Sequence, residues 1–84
     1  MKWKEIKQKY PKKFILLGSI DEERISQNSF RVLGGKVLMT TDDPKKVLKA
    51  YKVHQEKGEN VLYSLPSTTE DFIVEEAPFL GILQ

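Results

Sequence analysis

Residues 30–40 read Phe30-Arg31-Val32-Leu33-Gly34-Gly35-Lys36-Val37-Leu38-Met39-Thr40. Two apolar runs flank a pair of glycines, and glycine supplies the positive φ that a two-residue hairpin turn requires. Pairing across Gly34-Gly35 sets Val32 opposite Val37 and Phe30 opposite Met39. These four side chains then share one face while Arg31 takes the other, so turn and pattern agree on one register. The stretch predicts a β-hairpin, and hairpins bring antiparallel pairing with them.

Upstream, Asp21 to Ser29 is the most polar stretch, with Asp21-Glu22-Glu23-Arg24 and Gln27-Asn28-Ser29, and reads as an exposed loop or insertion. Phe14 to Ile20 is an apolar run of strand length. Residues 2–10 form a short amphipathic helix with Trp3, Ile6 and Tyr10 at i, i+3, i+7. Pro11 ends it, because the residue before proline is pushed out of the helical region.

Downstream, Asp42-Asp43-Pro44 opens a second helix, with Asp43 as cap and Pro44 at the first position, where its missing N–H is not needed. Val47, Leu48 and Tyr51 form its inner stripe, joined by His54 or Gln55. Lys45, Lys49 and Lys52 lie on the other side, and Gly58 is the C-terminal cap. Val61 to Leu65 is a further strand. Ser67-Thr68-Thr69-Glu70 matches the capping-box pattern and is read as capping a single helical turn. Phe72-Ile73-Val74 begins another extended segment, which Pro78 breaks. The expected fold is α+β, one domain over residues 1–84. It has a four- to five-stranded, mostly antiparallel sheet and two helices, the longer one packed across one face.

The chain has 84 residues and no cysteine, which excludes disulfides and thiolate metal sites. A domain this short buries only about 60–65% of its unfolded surface, so a dimer interface or a partner would add stability. No apolar run reaches the roughly 7–15 residues of a signal peptide or the roughly 20 of a membrane span. The expectation is a cytoplasmic protein with no membrane segment. Net charge is +2 but uneven: residues 1–13 carry six lysines against Glu5, and residues 59–84 carry five acids and no basic residue. Such asymmetry marks either a partner surface or two solvated ends.

No motif for catalysis stands out. His54 is the single histidine, whereas a general base needs a positioned partner and a metal site several ligands. Glu75 and Glu76 are adjacent on a strand and point to opposite faces, so they form no dyad. Gly34-Gly35-Lys36 lacks the spacing and the following helix of a phosphate loop. No G-x-S-x-G elbow surrounds Ser64 or Ser67. The expectation is no enzyme, no cofactor and no metal. The lysines raise nucleic acid as a rival. Lys2, Lys4 and Lys9 with Lys45, Lys49 and Lys52 form a candidate basic patch beside Trp3 and Tyr10. Against it, Trp3 and Tyr10 share the inner face with Ile6, and base readout leans on arginine, of which there are two, Arg24 and Arg31.

Three stretches carry a resemblance. Trp3…Tyr10-Pro11…Phe14-Ile15-Leu16-Leu17, Gly35-Lys36-Val37-Leu38 with Asp43-Pro44-Lys45-Lys46-Val47, and Val61-Leu62-Tyr63-Ser64-Leu65-Pro66 are similar to small prokaryotic proteins of unknown function of the DUF5678 type. The likeness spans most of the chain except residues 21–29. It implies a bacterial or archaeal α+β domain with no known activity. Related small proteins are encoded beside retropepsin-like aspartic proteases, which implies a protein partner of that kind and transfers no site residue. The chain itself lacks the D-[ST]-G motif of such a protease.

The leading functional reading is a protein–protein interaction or accessory (adaptor) module without catalysis, self-associating or bound to a partner. Its rival is a nucleic-acid-associated regulatory or antitoxin-like protein, and a hydrolase or ligand-binding enzyme comes third. The candidate interface is Phe79, Leu80, Ile82 and Leu83. Four large apolar side chains in water are an aggregation hazard. Either they lie in the protein's own core or they add as a strand to another subunit or partner.

Overall fold

The computed structural model describes residues 1–75. In chain order they form α1 (Trp3–Lys9), β1 (Phe14–Arg24), β2 (Ser29–Thr41), α2 (Pro44–Glu56), β3 (Leu62–Ser64) and β4 (Ile73–Glu75). All strand pairs are antiparallel, in the order β3-β1-β2-β4. The fold is α+β, with four antiparallel strands in a curled sheet and two helices. Phe79, Leu80, Ile82 and Leu83 lie outside the described residues.

The long β1–β2 hairpin dominates, and its turn is not at Gly34-Gly35. β2 runs straight through both glycines, and the chain reverses over residues 25–28 instead. The stretch read as an exposed loop is therefore the tip of the hairpin, exposed as expected but largely strand. Serine chemistry closes it: Ile25 and Ser26 donate backbone N–H groups to the Ser29 carbonyl at 3.0 and 3.2 Å, and the Ser26 and Ser29 hydroxyls meet at 2.8 Å. Such local side-chain bonding substitutes for the glycine that a two-residue turn demands.

The glycines serve close approach rather than turning. Neither has a positive φ; among the glycines of the described residues only Gly58 does, at +79°. A Cβ at Gly35 would lie 2.8 Å from the Gly18 carbonyl oxygen, and one at Gly34 would run into the Met1 carbonyl oxygen. Met1 and Lys2 lie against this point of β2, where Gly35 N–H donates to the Met1 carbonyl at 2.9 Å and Lys2 bridges to Gly34.

Three irregularities in the β1–β2 ladder correct the predicted register. Leu16 pairs with Met39 but Leu17 with Val37, which leaves Leu38 unpaired; Leu33 and the Ser19–Ile20 step are the other two. A bulged residue shifts the facing of everything beyond it. Phe30, Val32 and Val37 do share a face, but the Leu38 bulge sends Met39 to the opposite one. Ser19 takes a φ of +48° at its bulge, a conformation that non-glycine residues adopt only at a cost.

β1 divides the core. Ile15 and Leu17 point one way, where α1 packs Trp3 and Ile6 against Phe30, Val32 and Phe72. Leu16 points the other way, where α2 places Val47 beside Val61. Alternate strand residues face opposite sides, so the two helices cover opposite faces of the sheet. α1 ends before Pro11 as expected, and Trp3 and Ile6 are buried. The Trp3 indole N–H donates to the Thr69 carbonyl at 2.9 Å, and its ring packs on Phe72 at 5.0 Å. At residues 65–69, in place of the expected helical turn, the Leu65 N–H donates to the Thr68 hydroxyl at 2.9 Å and closes a tight turn.

Candidate functional site

α2 is built as its sequence dictates. The Asp43 carboxylate accepts from the Lys45 N–H at 2.9 Å, Pro44 occupies the first turn, and Gly58 follows the helix with positive φ. The residue that departs from expectation is Leu48. Val47 is fully buried and Tyr51 is half-buried, but Leu48 is 45% exposed. At 100° per residue Leu48 lies between the core stripe, centred on Val47, and the lysine stripe of Lys45, Lys49 and Lys52. α2 packs mainly across β1 and β2, and on this side the sheet ends at the three-residue edge strand β3, toward which Leu48 stands.

A groove of about 560 Å³ lies between α2 and β3, lined by Lys45, Leu48, Lys49, Tyr51, Lys52, Gln55 and Tyr63. Its floor is Leu48 with the two tyrosine rings, which meet edge to face at 5.2 Å. The Gln55 side-chain amide donates to the Tyr51 hydroxyl at 3.3 Å and fixes that ring's outer end. Among the described residues no acidic one lines the groove. Among the described residues none of its three lysines makes an ion pair, whereas Lys13 is paired with Asp42 at 2.9 Å and Lys7 donates to the Pro11 and Pro66 carbonyls.

The candidate basic patch is not one patch. Lys2, Lys4 and Lys9 belong to α1 and its start, and Lys45, Lys49 and Lys52 to α2, on the other face of the sheet. The separation across helix, sheet and helix is on the order of 20 Å. Periodicity places a lysine on a helix face but says nothing of which side of the sheet that helix covers. Leu48, Tyr51, Gln55 and Tyr63 are the groove residues that sequence reasoning did not place in a site. Leu48 recurs with Lys45, Lys52 and Gln55 at i, i+3, i+7, i+10, a signal that it sits at the edge of the lysine stripe.

The residues weighed for chemistry are dispersed. His54 closes the end of α2, where its Nδ1 meets the Glu59 carboxylate at 2.8 Å and its carbonyl accepts from the Glu59 N–H. Ser64, in β3, is buried opposite Ile15 of β1, and its hydroxyl has no hydrogen-bond partner among the described residues. A second depression of about 720 Å³ lies where Met1 and Lys2 meet β2, lined in part by Glu5, Ser19, Asp21 and Lys36. Glu5 there accepts from the Lys2 N–H at 3.4 Å. Arg31 donates to Asp71 at 2.8 Å and to Glu23 at 3.0 Å, which ties the start of β4 to the hairpin. Its pKa is raised, first by the hydrogen bond to Asp71 and then by that to Glu23. Among the described residues no group of three or more His, Cys, Asp or Glu could hold a metal ion, and no helix is long and apolar enough to cross a membrane.

No family model, curated protein or solved structure matches this chain.

Proposed function

We propose that this chain is a cytoplasmic protein–protein interaction module, an accessory or adaptor protein without catalytic activity of its own. The observation that carries the reading is the α2–β3 groove, where a large apolar side chain, Leu48, stands 45% exposed beside two tyrosines and inside a rim of lysines. Apolar surface rimmed by polar groups is the usual character of a protein-binding site, and aromatic side chains are common anchors there. The resemblance to small prokaryotic proteins, with its implied protein partner, points the same way. The nucleic-acid reading draws on the same lysines, but the two rows lie on opposite faces, so a duplex lying along one helix does not meet the other row.

The test is a photo-crosslinking side chain placed at position 48 in cells, with the same group at Lys4 as control. The expected result is a protein adduct from position 48 and none from position 4. A folded protein that gives no adduct from position 48 refutes the reading.

A further inference from the structure

We infer that the α2–β3 groove receives an acidic segment of a partner protein that carries large apolar side chains; this rests on the interaction-module reading and specifies what the module binds. Three observations converge. The floor is apolar and aromatic (Leu48, Tyr51, Tyr63), which selects apolar side chains. The rim holds Lys45, Lys49 and Lys52 with no acidic residue in the lining, so the groove's charge is uncompensated among the described residues. Like charges at i, i+4 destabilise a helix slightly, and Lys45 and Lys49 are so placed. A carboxylate-bearing partner turns that cost into attraction and excludes basic competitors.

The geometry also sets the spacing. From Lys45 to Lys52 the helix rises about 10 Å at 1.5 Å per residue. A helical partner meets the row with acids at i, i+4 and i+7, and an extended one with acids at alternate positions, which share a face about 6.6 Å apart. Nucleic acid fits less well. The apolar floor contributes nothing to phosphate binding, the lining includes no arginine among the described residues, and an edge-to-face tyrosine pair is not a flat platform for stacked bases.

The experiment is selection of random dodecapeptides displayed on phage against the full-length protein. The selected peptides are then measured on the wild type, on a Lys45→Glu/Lys49→Glu/Lys52→Glu variant and on Leu48→Ser. The expected peptides are enriched in Asp and Glu around Leu, Phe or Trp. They lose at least about tenfold in affinity on the charge-reversed variant and lose affinity again on Leu48→Ser. Groove-binding peptides without acidic enrichment, weakened by Leu48→Ser but not by charge reversal, overturn the acidic-partner inference and leave the interaction module standing. Binding of a fifteen-residue oligothymidine that depends on the three lysines, with no peptide selected, overturns both. Tighter binding by a synthetic peptide of residues 74–84 than by any selected sequence assigns the groove to this chain's own Glu75-Glu76 and Phe79-Leu80 stretch and overturns the partner version. Circular dichroism of both variants keeps loss of fold separate from loss of binding.

Discussion

A methyl group at position 35 would lie 2.8 Å from the Gly18 carbonyl oxygen, closer than real Cβ atoms come, and the obstacle is backbone that cannot swing aside. Gly35→Ala therefore forces β1 and β2 apart in the middle of the hairpin. The expected loss is about 1–3 kcal/mol, the usual cost of overpacking, read from urea unfolding followed by the fluorescence of buried Trp3. Unchanged stability would contradict the close approach of the two strands. Ser64 offers the opposite case. Its hydroxyl is buried without a partner among the described residues, and an unsatisfied buried polar group costs about 1–3 kcal/mol. Ser64→Ala removes the hydroxyl with one atom of volume, so the variant is expected to match or exceed the wild type by about 1 kcal/mol in the same assay. A loss above about 1 kcal/mol would show that the hydroxyl is bonded after all. At this scale the sequence misleads in an instructive way. Gly34-Gly35 bears the composition of a turn, but a glycine needed for positive φ and one needed for close approach look alike until the neighbouring strand is in place.

α2 was the most legible element, because its signals are local. Asp43, Pro44 and Gly58 fix its ends, and the apolar spacing fixes the side that Val47 buries. Asp43→Ala removes the bond to the Lys45 N–H and is expected to cost about 1 kcal/mol. Adjacent residues within the helix should differ more sharply. Val47→Ala empties part of a fully buried site and is expected to cost about 2 kcal/mol, while Leu48→Ser is expected to stay within about 0.5 kcal/mol. Equal losses at the two positions, measured by thermal melts at two protein concentrations, would put Leu48 in the core as its spacing first suggests. β1 and β2 were less legible. Their apolar content was plain, but three bulges change the facing of side chains along the ladder, and a bulge depends on the partner strand as much as on its own sequence. The turn at 25–28 was hidden for a related reason. It is closed by serine hydroxyls, which mark a loop of any length as readily as a hairpin tip. The groove lies where α2 meets the sheet's edge strand β3. Helix and strand were each roughly readable, but which strand would form the edge beside α2 was not.

The order of layers, helix, sheet and helix, decides how the whole molecule meets a polyanion. The sequence shows twelve lysines and allows them to be summed into one basic face. The fold divides the six candidate lysines into two rows with the sheet between them. A DNA duplex can lie along one helix but not both. Each phosphate neutralised contributes about −0.9 to the slope of log K against log salt on duplex DNA. The three lysines of α2, or four with Lys46, give a slope of about −2.7 to −3.6, a loss of about 40- to 150-fold between 50 and 200 mM salt. Both rows acting together would give −5.4 or steeper and a loss above about a thousandfold. Anisotropy titrations of a labelled 20-base-pair duplex at three salt concentrations separate these cases. The expected result is weak binding with a slope no steeper than about −4. The slope should be reduced by the α2 charge reversals and little affected by Lys2→Glu, Lys4→Glu and Lys9→Glu. A slope steeper than about −5 that falls with substitutions on either helix would mean that both rows face one ligand. That result would overturn the placement of the two helices on opposite faces of the sheet.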